Sequence, residues 1–232
     1  MRARDADSLS AFGGIVALNR AVDEETARAI TSTKIDAVIA PAVDDAARNI
    51  LGRKSNMRVV TADCRAQIRA IELRSILGAI LAQDRDVVHE ADVPWAGAAL
   101  PSEFRVVTRR HPTVDEWEAL RFAWRVCAHM KSNAVVFSSG ERTLAIGAGQ
   151  MSRVDAVNVA VMTARRLKQA LAQSVAATDG FFPFRDGVDA VAAAGARAVI
   201  HPGGSLRDPE VIAAADEHGM AMVLTARRHF RH

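Results

Sequence analysis

The sequence lacks tyrosine, has only two cysteines among 232 residues, and contains no apolar run long enough to span a membrane. Cys64 and Cys127 lie far apart, with no second Cys or His at metal-ligand spacing, so we expect two reduced thiols and no zinc. Residues 1–7 are charged and hold no apolar signal segment. These absences exclude secreted, disulfide-rich and membrane proteins and predict a cytoplasmic protein.

A strong excess of one charge is also missing, because 30 Lys and Arg stand against 27 Asp and Glu, for a net charge of +3. A nucleic-acid track requires a clustered basic stripe, so we expect a small anionic substrate and no nucleic acid. The GxSxG elbow, the Walker A loop, the full GxGxxG fingerprint and the paired motifs of zinc deaminases are absent. Zinc-dependent deamination is therefore not expected.

Short apolar runs rich in β-branched residues alternate with helical patterns, which predicts an α/β fold. Strands are predicted at 36–39, 58–61, 105–108, 134–137, 143–146, 198–201 and 221–225. Helices are predicted at 23–30, at 44–51, from a Thr113–Glu116 capping box to about 130, from 151, and from Asp208 as N-cap to Gly219 just past the end.

The most loop-like stretch is 90–103, which has two prolines, a glycine and no periodicity. We therefore predict two domains, 1–89 and 90–232.

The run from Phe181 to Asp186 places three aromatic rings around Pro183, and these cannot all face a core. Some should line a surface or pocket where a flat ligand stacks, with the Arg185–Asp186 pair bonding its polar edge. A buried hydrophobic turn is the alternative.

Three further segments follow or precede predicted strands. The glycines at 147 and 149 open a helix, where an anion binds well, although a plain connection also fits. Arg228 follows the last strand and suits a phosphate, unless the terminus is simply solvated. Asn133 could orient an amine or amide, or form a turn.

Six segments, taken together and in order, resemble the AICAR transformylase family over essentially the whole chain. They are SAFGG at 10–14, KSNA at 131–134, GAGQMSR at 147–153, DGFFPFRD at 179–186, PGGS at 202–205 and RHFRH at 228–232.

The resemblance implies formyl transfer from 10-formyltetrahydrofolate to the amine of aminoimidazole carboxamide ribonucleotide (AICAR), in purine biosynthesis. It also implies cytidine-deaminase-like three-layer α/β/α units without zinc, and a homodimer with sites shared between subunits.

The resemblance assigns roles to individual residues. Asn133 and His232 take the catalytic positions, and Asp179 takes the position of a potassium ligand. The substrate-binding positions are Asp36, Arg228, Phe230, Gln150 and Arg153. The folate-binding positions are Phe12, Val154, Phe182, Pro183, Phe184 and Asp186, with Arg153 and Val154 reaching in from the partner subunit.

The family draws its proton acceptor from a Lys-His-x-Asn-Pro-Cys-Gly segment that this sequence lacks. We expect the missing half to be a separate chain or lost to a misplaced start, and the chain alone to turn over poorly. His129, His229 and His232 are the local candidates for a substitute base. The cyclohydrolase module is also missing, so ring closure is not assigned. The alternatives are a folate- or nucleotide-binding dimeric paralogue without chemistry, and transfer to another amine.

Overall fold

The computed structural model describes residues 2–63, 70–95, 100–140 and 142–231. The chain divides into two compact units, Met1–Arg85 and Asp86–His232. The division lies slightly before the predicted boundary between residues 89 and 90. Cys64, His232 and residues 96–99 of the predicted loop lie outside the described residues.

The first unit contains a three-stranded parallel sheet of order β1-β2-β3 and a separate antiparallel hairpin, β4-β5. Its helices are α1 (Arg2–Ala6), α2 (Glu24–Thr31) and α3 (Asp45–Leu51), and its strands are β1 (Gly14–Ala17), β2 (Ile35–Ala40), β3 (Arg58–Thr61), β4 (Ile71–Ile76) and β5 (Ala79–Asp84). Apolar residues of α2, β2 and α3 form its core.

The second unit is built on a six-stranded mixed sheet of order β6-β11-β10-β9-β7-β8. After a 3₁₀ helix at His89–Ala91, the elements are β6 (Arg105–Val106), α4 (Val114–Cys127), β7 (Val135–Ser139), β8 (Arg142–Gly147), α5 (Arg153–Arg166), β9 (Val175–Thr178), α6 (Arg185–Ala193), β10 (Ala198–His201), α7 (Asp208–Glu217) and β11 (Ala221–Leu224). Strands β9, β10 and β11 run parallel to one another, whereas β7 runs antiparallel to both β8 and β9.

Helices cover both faces of this sheet. Val135 and Phe137 pack with α5, α6 and α7, whereas Val136 between them packs with α4 on the other face. Successive strand residues point to opposite faces, so a strand covered on both sides is apolar throughout. The second unit is therefore a three-layer α/β/α sandwich, and the predicted α/β class is confirmed.

The Thr113–Glu116 capping box is confirmed, because the Thr113 hydroxyl accepts from the Glu116 N–H at 3.3 Å while the Glu116 carboxylate accepts from the Thr113 N–H at 2.8 Å. The N-cap predicted for α7 is shifted by one residue. Asp208 is the first helical residue, and its carboxylate accepts from the backbone N–H groups of Gly204 and Ser205.

Several predicted bounds differ from the structure for local reasons. The strand predicted at 105–108 ends at Val106, because the Thr108 hydroxyl accepts from the Met222 N–H at 2.8 Å. Strands β1, β4, β5 and β9 and helices α1 and α6 were not predicted. Cys127 is fully buried, which raises the pKa of its thiol, as expected of a structural cysteine. Within the described ranges, no helix is both long and apolar enough to cross a bilayer.

Candidate functional site

Five loops of the second unit meet at one end of the six-stranded sheet. The parallel strands β9, β10 and β11 all finish at this end. Val135, at the start of β7, pairs with Thr178, at the end of β9, and with Gly147, at the end of β8. The loops that meet are 131–134, 147–153, 179–184, 202–207 and 225–231. Ligands of α/β folds bind at this edge, so the convergence agrees with the motifs singled out from sequence.

Asp179 lies at the centre of these loops and is fully buried. Its carboxylate accepts from the Arg153 guanidinium and from the Ser132 hydroxyl, and it accepts from the Ala134 N–H at 3.0 Å. The same Arg153 Nη1 donates to the Ala134 carbonyl at 3.1 Å. The buried ion pair therefore ties together the loops that follow β8 and β9 and the one that precedes β7.

This ion pair involves two residues to which the resemblance assigned roles. The Arg153 side chain is only 6 % exposed and is bonded inside its own unit. One carboxylate oxygen of Asp179 accepts from Arg153 and from the Ala134 N–H, and the other accepts from the Ser132 hydroxyl. Over the described part of the chain, no group of three or more His, Cys, Asp or Glu residues could hold a metal.

Asn133 joins the loop before β7 to the loop after β8. Its side-chain amide donates to the carbonyls of Gln150 at 2.9 Å and Met151 at 3.2 Å, and its backbone exchanges two hydrogen bonds with Gln150. Because both amide hydrogens are directed at the backbone, the amide oxygen is the atom suited to accept from an amine. The Gln150 side chain folds back on the Ala148 carbonyl at 3.0 Å.

Arg228 is exposed between two aromatic rings. Its guanidinium carbon lies 5.2 Å from the centroid of Phe181 and 5.9 Å from that of Phe230. A Cβ at Gly180 would lie 2.9 Å from the Phe230 ring and 2.2 Å from Arg153 Nη2, so only glycine leaves room for both side chains. Stacked rings hold the guanidinium plane and leave its N–H edge for a phosphate.

The Phe181–Asp186 run divides between core and surface, as predicted. Phe182 is fully buried, with its ring 5.2 Å from that of His201, so it offers no face to a ligand. Phe184 is 49 % exposed, and the guanidinium carbon of Arg207 lies 5.0 Å from its ring centroid. Pro183 and Asp186 are exposed, and Val154 is half-buried. The exposed surface is therefore Pro183 and Phe184, beside Phe181.

A cluster that the sequence did not reveal surrounds His229, which is 1 % exposed. Its Nδ1 lies 2.8 Å from the Asp86 carboxylate and its Nε2 lies 2.7 Å from Glu90 Oε1. Glu90 also accepts from Trp124 Nε1 at 2.8 Å and from Arg227 Nη1 at 3.0 Å. No motif links these residues, because Glu90 and His229 are 139 positions apart.

The charges in this cluster support one another. Burial on its own would raise the pKa of Glu90, but hydrogen bonds from His229 and Trp124 outweigh burial and lower the pKa to about 2. Burial likewise acts to lower the pKa of His229, but Glu90 and Asp86 raise it above its usual value. A protonated ring between two carboxylates does not accept a further proton, so His229 is a poor general base.

His129 is the other described candidate base. Burial, followed by the charge of Arg231, lowers its pKa. Its Nδ1 lies 3.2 Å from an Arg231 guanidinium nitrogen. Because a guanidinium can only donate, this ring nitrogen already accepts a hydrogen bond and is not free to accept a proton from a substrate.

Phe12 and Asp36 belong to the first unit. Phe12 is 69 % exposed, with the Lys34 ammonium 5.2 Å from its ring centroid. Asp36 lines a cleft of about 330 Å³ whose other walls include Lys34, Arg53 and Lys54. A Cβ at Gly13 would lie 3.5 Å from the Asp36 carboxylate, so the residue next to Phe12 borders that side chain. Both predicted ligand residues are therefore accessible within this unit.

Residues 1–163 match the family described as "AICARFT/IMPCHase bienzyme". The chain is 51 % identical over 236 residues to the bifunctional purine biosynthesis protein PurH of Myxococcus xanthus (strain DK1622), covering 99 % of this chain and 43 % of that protein. It therefore spans less than half the length of this relative.

A solved structure described as "Structural genomics, protein ybgI, unknown function" aligns with 94 % of this chain and 74 % of its own, at a TM-score of 0.21 and 13 % identity. That likeness supports no conclusion about the fold. The sequence matches do, however, show the family: the chain belongs to the AICARFT/IMPCHase bienzyme family.

Proposed function

We propose that the chain is the transformylase portion of this family and acts in purine biosynthesis. In this proposal it binds AICAR and 10-formyltetrahydrofolate for formyl transfer, on a cytidine-deaminase-like fold and as a homodimer with shared sites. The observation that carries the proposal is Arg228, exposed between Phe181 and Phe230 at the edge where Asn133 and the Phe184 ring also lie. A guanidinium binds the phosphate of a ribonucleotide, a side-chain amide hydrogen-bonds an amine, and exposed aromatic rings stack on a pterin.

The reaction assigns a task to each group. The AICAR amine nitrogen attacks the formyl carbon, the bond from that carbon to the folate nitrogen breaks, and the proton that the amine loses ends on that folate nitrogen. The Asn133 amide oxygen accepts from the amine and orients its lone pair, because its N–H groups are held by Gln150 and Met151. Arg228 holds the phosphate, while Pro183 and Phe184 stack on the folate.

The first experiment measures nucleotide binding by calorimetry with the purified chain. Charge-assisted hydrogen bonds contribute about 1.5–3 kcal/mol, so Arg228→Ala should weaken AICAR binding by roughly tenfold or more. Binding of the riboside without the phosphate should be unchanged. Arg109→Ala is the matched control, because that arginine side chain is 90 % exposed and lies beyond β6, toward Asp216. Equal AICAR affinity of Arg228→Ala and the wild type would refute the phosphate assignment.

The second experiment tests the folate surface by formyl-transfer kinetics in the chain supplemented with a partner chain that carries the Lys-His segment. Phe184→Ala should raise the KM for 10-formyltetrahydrofolate several-fold and leave the KM for AICAR unchanged. A change in the AICAR KM alone would contradict the assignment of this ring to folate.

A second candidate function is a binding module without chemistry. The observation that favours it is the state of His129 and His229, neither of which suits proton abstraction. The two functions are separated by a transfer assay on the chain with and without a partner chain carrying the Lys-His segment. Tight AICAR and folate binding with no transfer in either case supports the binding module.

The homodimer is tested by sedimentation of the purified chain. The β4-β5 hairpin exposes Leu73, Ile80 and Leu81, and burial of such a surface in a dimer would be favourable. A purely monomeric species at micromolar concentration would contradict this part of the proposal.

A further inference from the structure

We propose that Glu90 is a positioning residue for the nucleotide site: its buried carboxylate holds Arg227 and His229 and thereby orients Arg228, which lies between them. The proposal deepens the function proposed above and rests on it for the identity of the ligand. Glu90 itself touches no ligand in this account.

The Glu90 carboxylate bonds both sequence neighbours of Arg228. Glu90 Oε2 accepts from Arg227 Nη1 at 3.0 Å, and Oε1 accepts from His229 Nε2 at 2.7 Å. Trp124 Nε1 also donates to Oε1 at 2.8 Å, which ties the carboxylate to α4. The Glu90 side chain is 2 % exposed, so these bonds are shielded from water.

The segment that Glu90 holds is irregular, and a sheet ladder does not fix its direction. After β11 ends at Leu224, Ala226 adopts a left-handed φ of +55° and the chain runs on without regular structure. His229 points inward and is 1 % exposed, whereas the flanking Arg228 and Phe230 point outward. The inward anchor at 229 therefore holds the backbone between the two outward side chains at 228 and 230.

The backbone of this segment is bonded on both sides of Arg228. Arg227 exchanges two hydrogen bonds with the Thr225 hydroxyl, and the Arg231 carbonyl accepts from the Ser132 N–H at 2.9 Å. Ala226 N–H donates to the Pro202 carbonyl at 3.0 Å, and His229 N–H donates to the Asp179 carbonyl at 3.3 Å. Without the Glu90 carboxylate, the side chains of Arg227 and His229 gain conformational freedom that ligand binding must remove again. Loss of the anchor should consequently lower affinity for the phosphate-bearing ligand.

The charge state of the anchor agrees with this role. The Glu90 carboxylate accepts hydrogen bonds from an arginine, a histidine and an indole N–H, so each of its oxygens has a partner. A fully satisfied buried polar cluster specifies one arrangement of the groups it joins, even where its net contribution to stability is small.

The test compares Glu90→Gln with Glu116→Gln. Glu116 is a matched control because its carboxylate also accepts from a guanidinium and a backbone N–H and is 13 % exposed, but it lies at the opposite end of α4. We expect Glu90→Gln to weaken AICAR binding about tenfold, or 1.4 kcal/mol, and to leave binding of 10-formyltetrahydrofolate unchanged. Glu116→Gln should leave both affinities at wild-type values.

Tryptic cleavage after Arg228, followed by mass spectrometry, provides a readout that needs no ligand. Glu90→Gln should release the peptide that begins at His229 several-fold faster than the wild type, and Glu116→Gln should not. If the wild type binds no AICAR, the proposed function fails and the cleavage rates alone decide on the anchor. Wild-type affinity together with a wild-type cleavage rate in Glu90→Gln overturns the inference.

A milder pair of variants covers the case in which Glu90→Gln does not fold. Arg227→Met and Arg231→Met each remove one positive charge from the terminal segment. The two arginines differ in their contacts, because Arg227 donates to Glu90 whereas Arg231 lies against His129. Arg227→Met should lose several-fold more AICAR affinity than Arg231→Met. Equal losses would show that charge matters and the Glu90 contact does not, and would refute the inference.

Discussion

Replacing Asp179 with asparagine should lower the free energy of unfolding of the second unit more than any substitution on the surface of that unit. The Arg153 side chain is a cation and only 6 % exposed, so the variant leaves a buried cation without its counter-charge. Asparagine retains an oxygen that can accept from the Ala134 N–H, while its NH2 group replaces the oxygen that accepts from the Ser132 hydroxyl. Breaking a buried ion pair from one side costs about 3–5 kcal/mol, and we expect that loss here.

Urea unfolding followed by circular dichroism measures the loss as a change in the free energy of unfolding. Asp189→Asn is the control, because Asp189 is 35 % exposed and pairs with Arg185 on the surface, where an ion pair contributes about 0–1 kcal/mol. The double variant with Arg153→Met should recover most of the loss, since it no longer buries a lone charge. The reasoning is refuted if Asp179→Asn costs less than about 1 kcal/mol, or if the double variant is no more stable than the single one.

Two further predictions concern stability. A Cβ at Gly147 would lie 1.9 Å from the Ala156 carbonyl oxygen, so Gly147→Ala should cost about 1–3 kcal/mol in urea unfolding, whereas Gly140→Ala, with nothing within 4 Å, should cost much less. The Glu90–His229 pair should stabilise the chain most between pH values of about 4.5 and 6.5. Because the pKa of Glu90 is lowered in the folded chain, the stability that Glu90 contributes fades as the pH falls from 4.5 toward 2. Because the pKa of His229 is raised, the stability that His229 contributes is lost as the pH rises through the pKa of His229 in the folded chain. Melting temperatures of wild type and Glu90→Gln across this range should differ most inside the window, and a difference independent of pH would contradict the charge assignment.

Strong local signals predicted the elements that formed where expected. The capping box at Thr113 located the start of α4, and the β-branched run at 58–61 located β3. By contrast, β9 has the sequence VAAT, in which alanine has little strand preference. It is a strand because neighbours bond both of its edges and helices cover both of its faces, which are properties of the whole unit. Local patterns carry no such information.

Helix α6 was missed for a related reason. Its first residues belong to the aromatic run that was interpreted as a binding surface or a buried turn, and it contains Gly187, which disfavours a helix. In the structure that glycine makes room for Phe182, because a Cβ there would lie 2.4 Å from the ring. Tertiary packing outweighs the helix preference at this position.

The candidate site was predictable in outline because parallel strands bring their ends to one edge. Arg228 and Asn133 could each be placed beside a strand from apolar runs alone, whereas Asp179 follows β9, which those runs did not predict. Their partners could not, since the Arg153–Asp179 and Glu90–His229 contacts join residues 26 and 139 positions apart. Contacts of that kind depend on loop paths, which the hydrophobic pattern leaves open.

Strands β9 and β10 each lie between two bonded neighbours, and all of their residues are buried. Their amide hydrogens should therefore exchange with deuterium only when the whole second unit opens, whereas those of the exposed β4-β5 hairpin should exchange through small local fluctuations. Deuterium uptake at 175–178 and 198–201 consequently gives the opening free energy of the second unit inside the intact chain, without cutting it from the first.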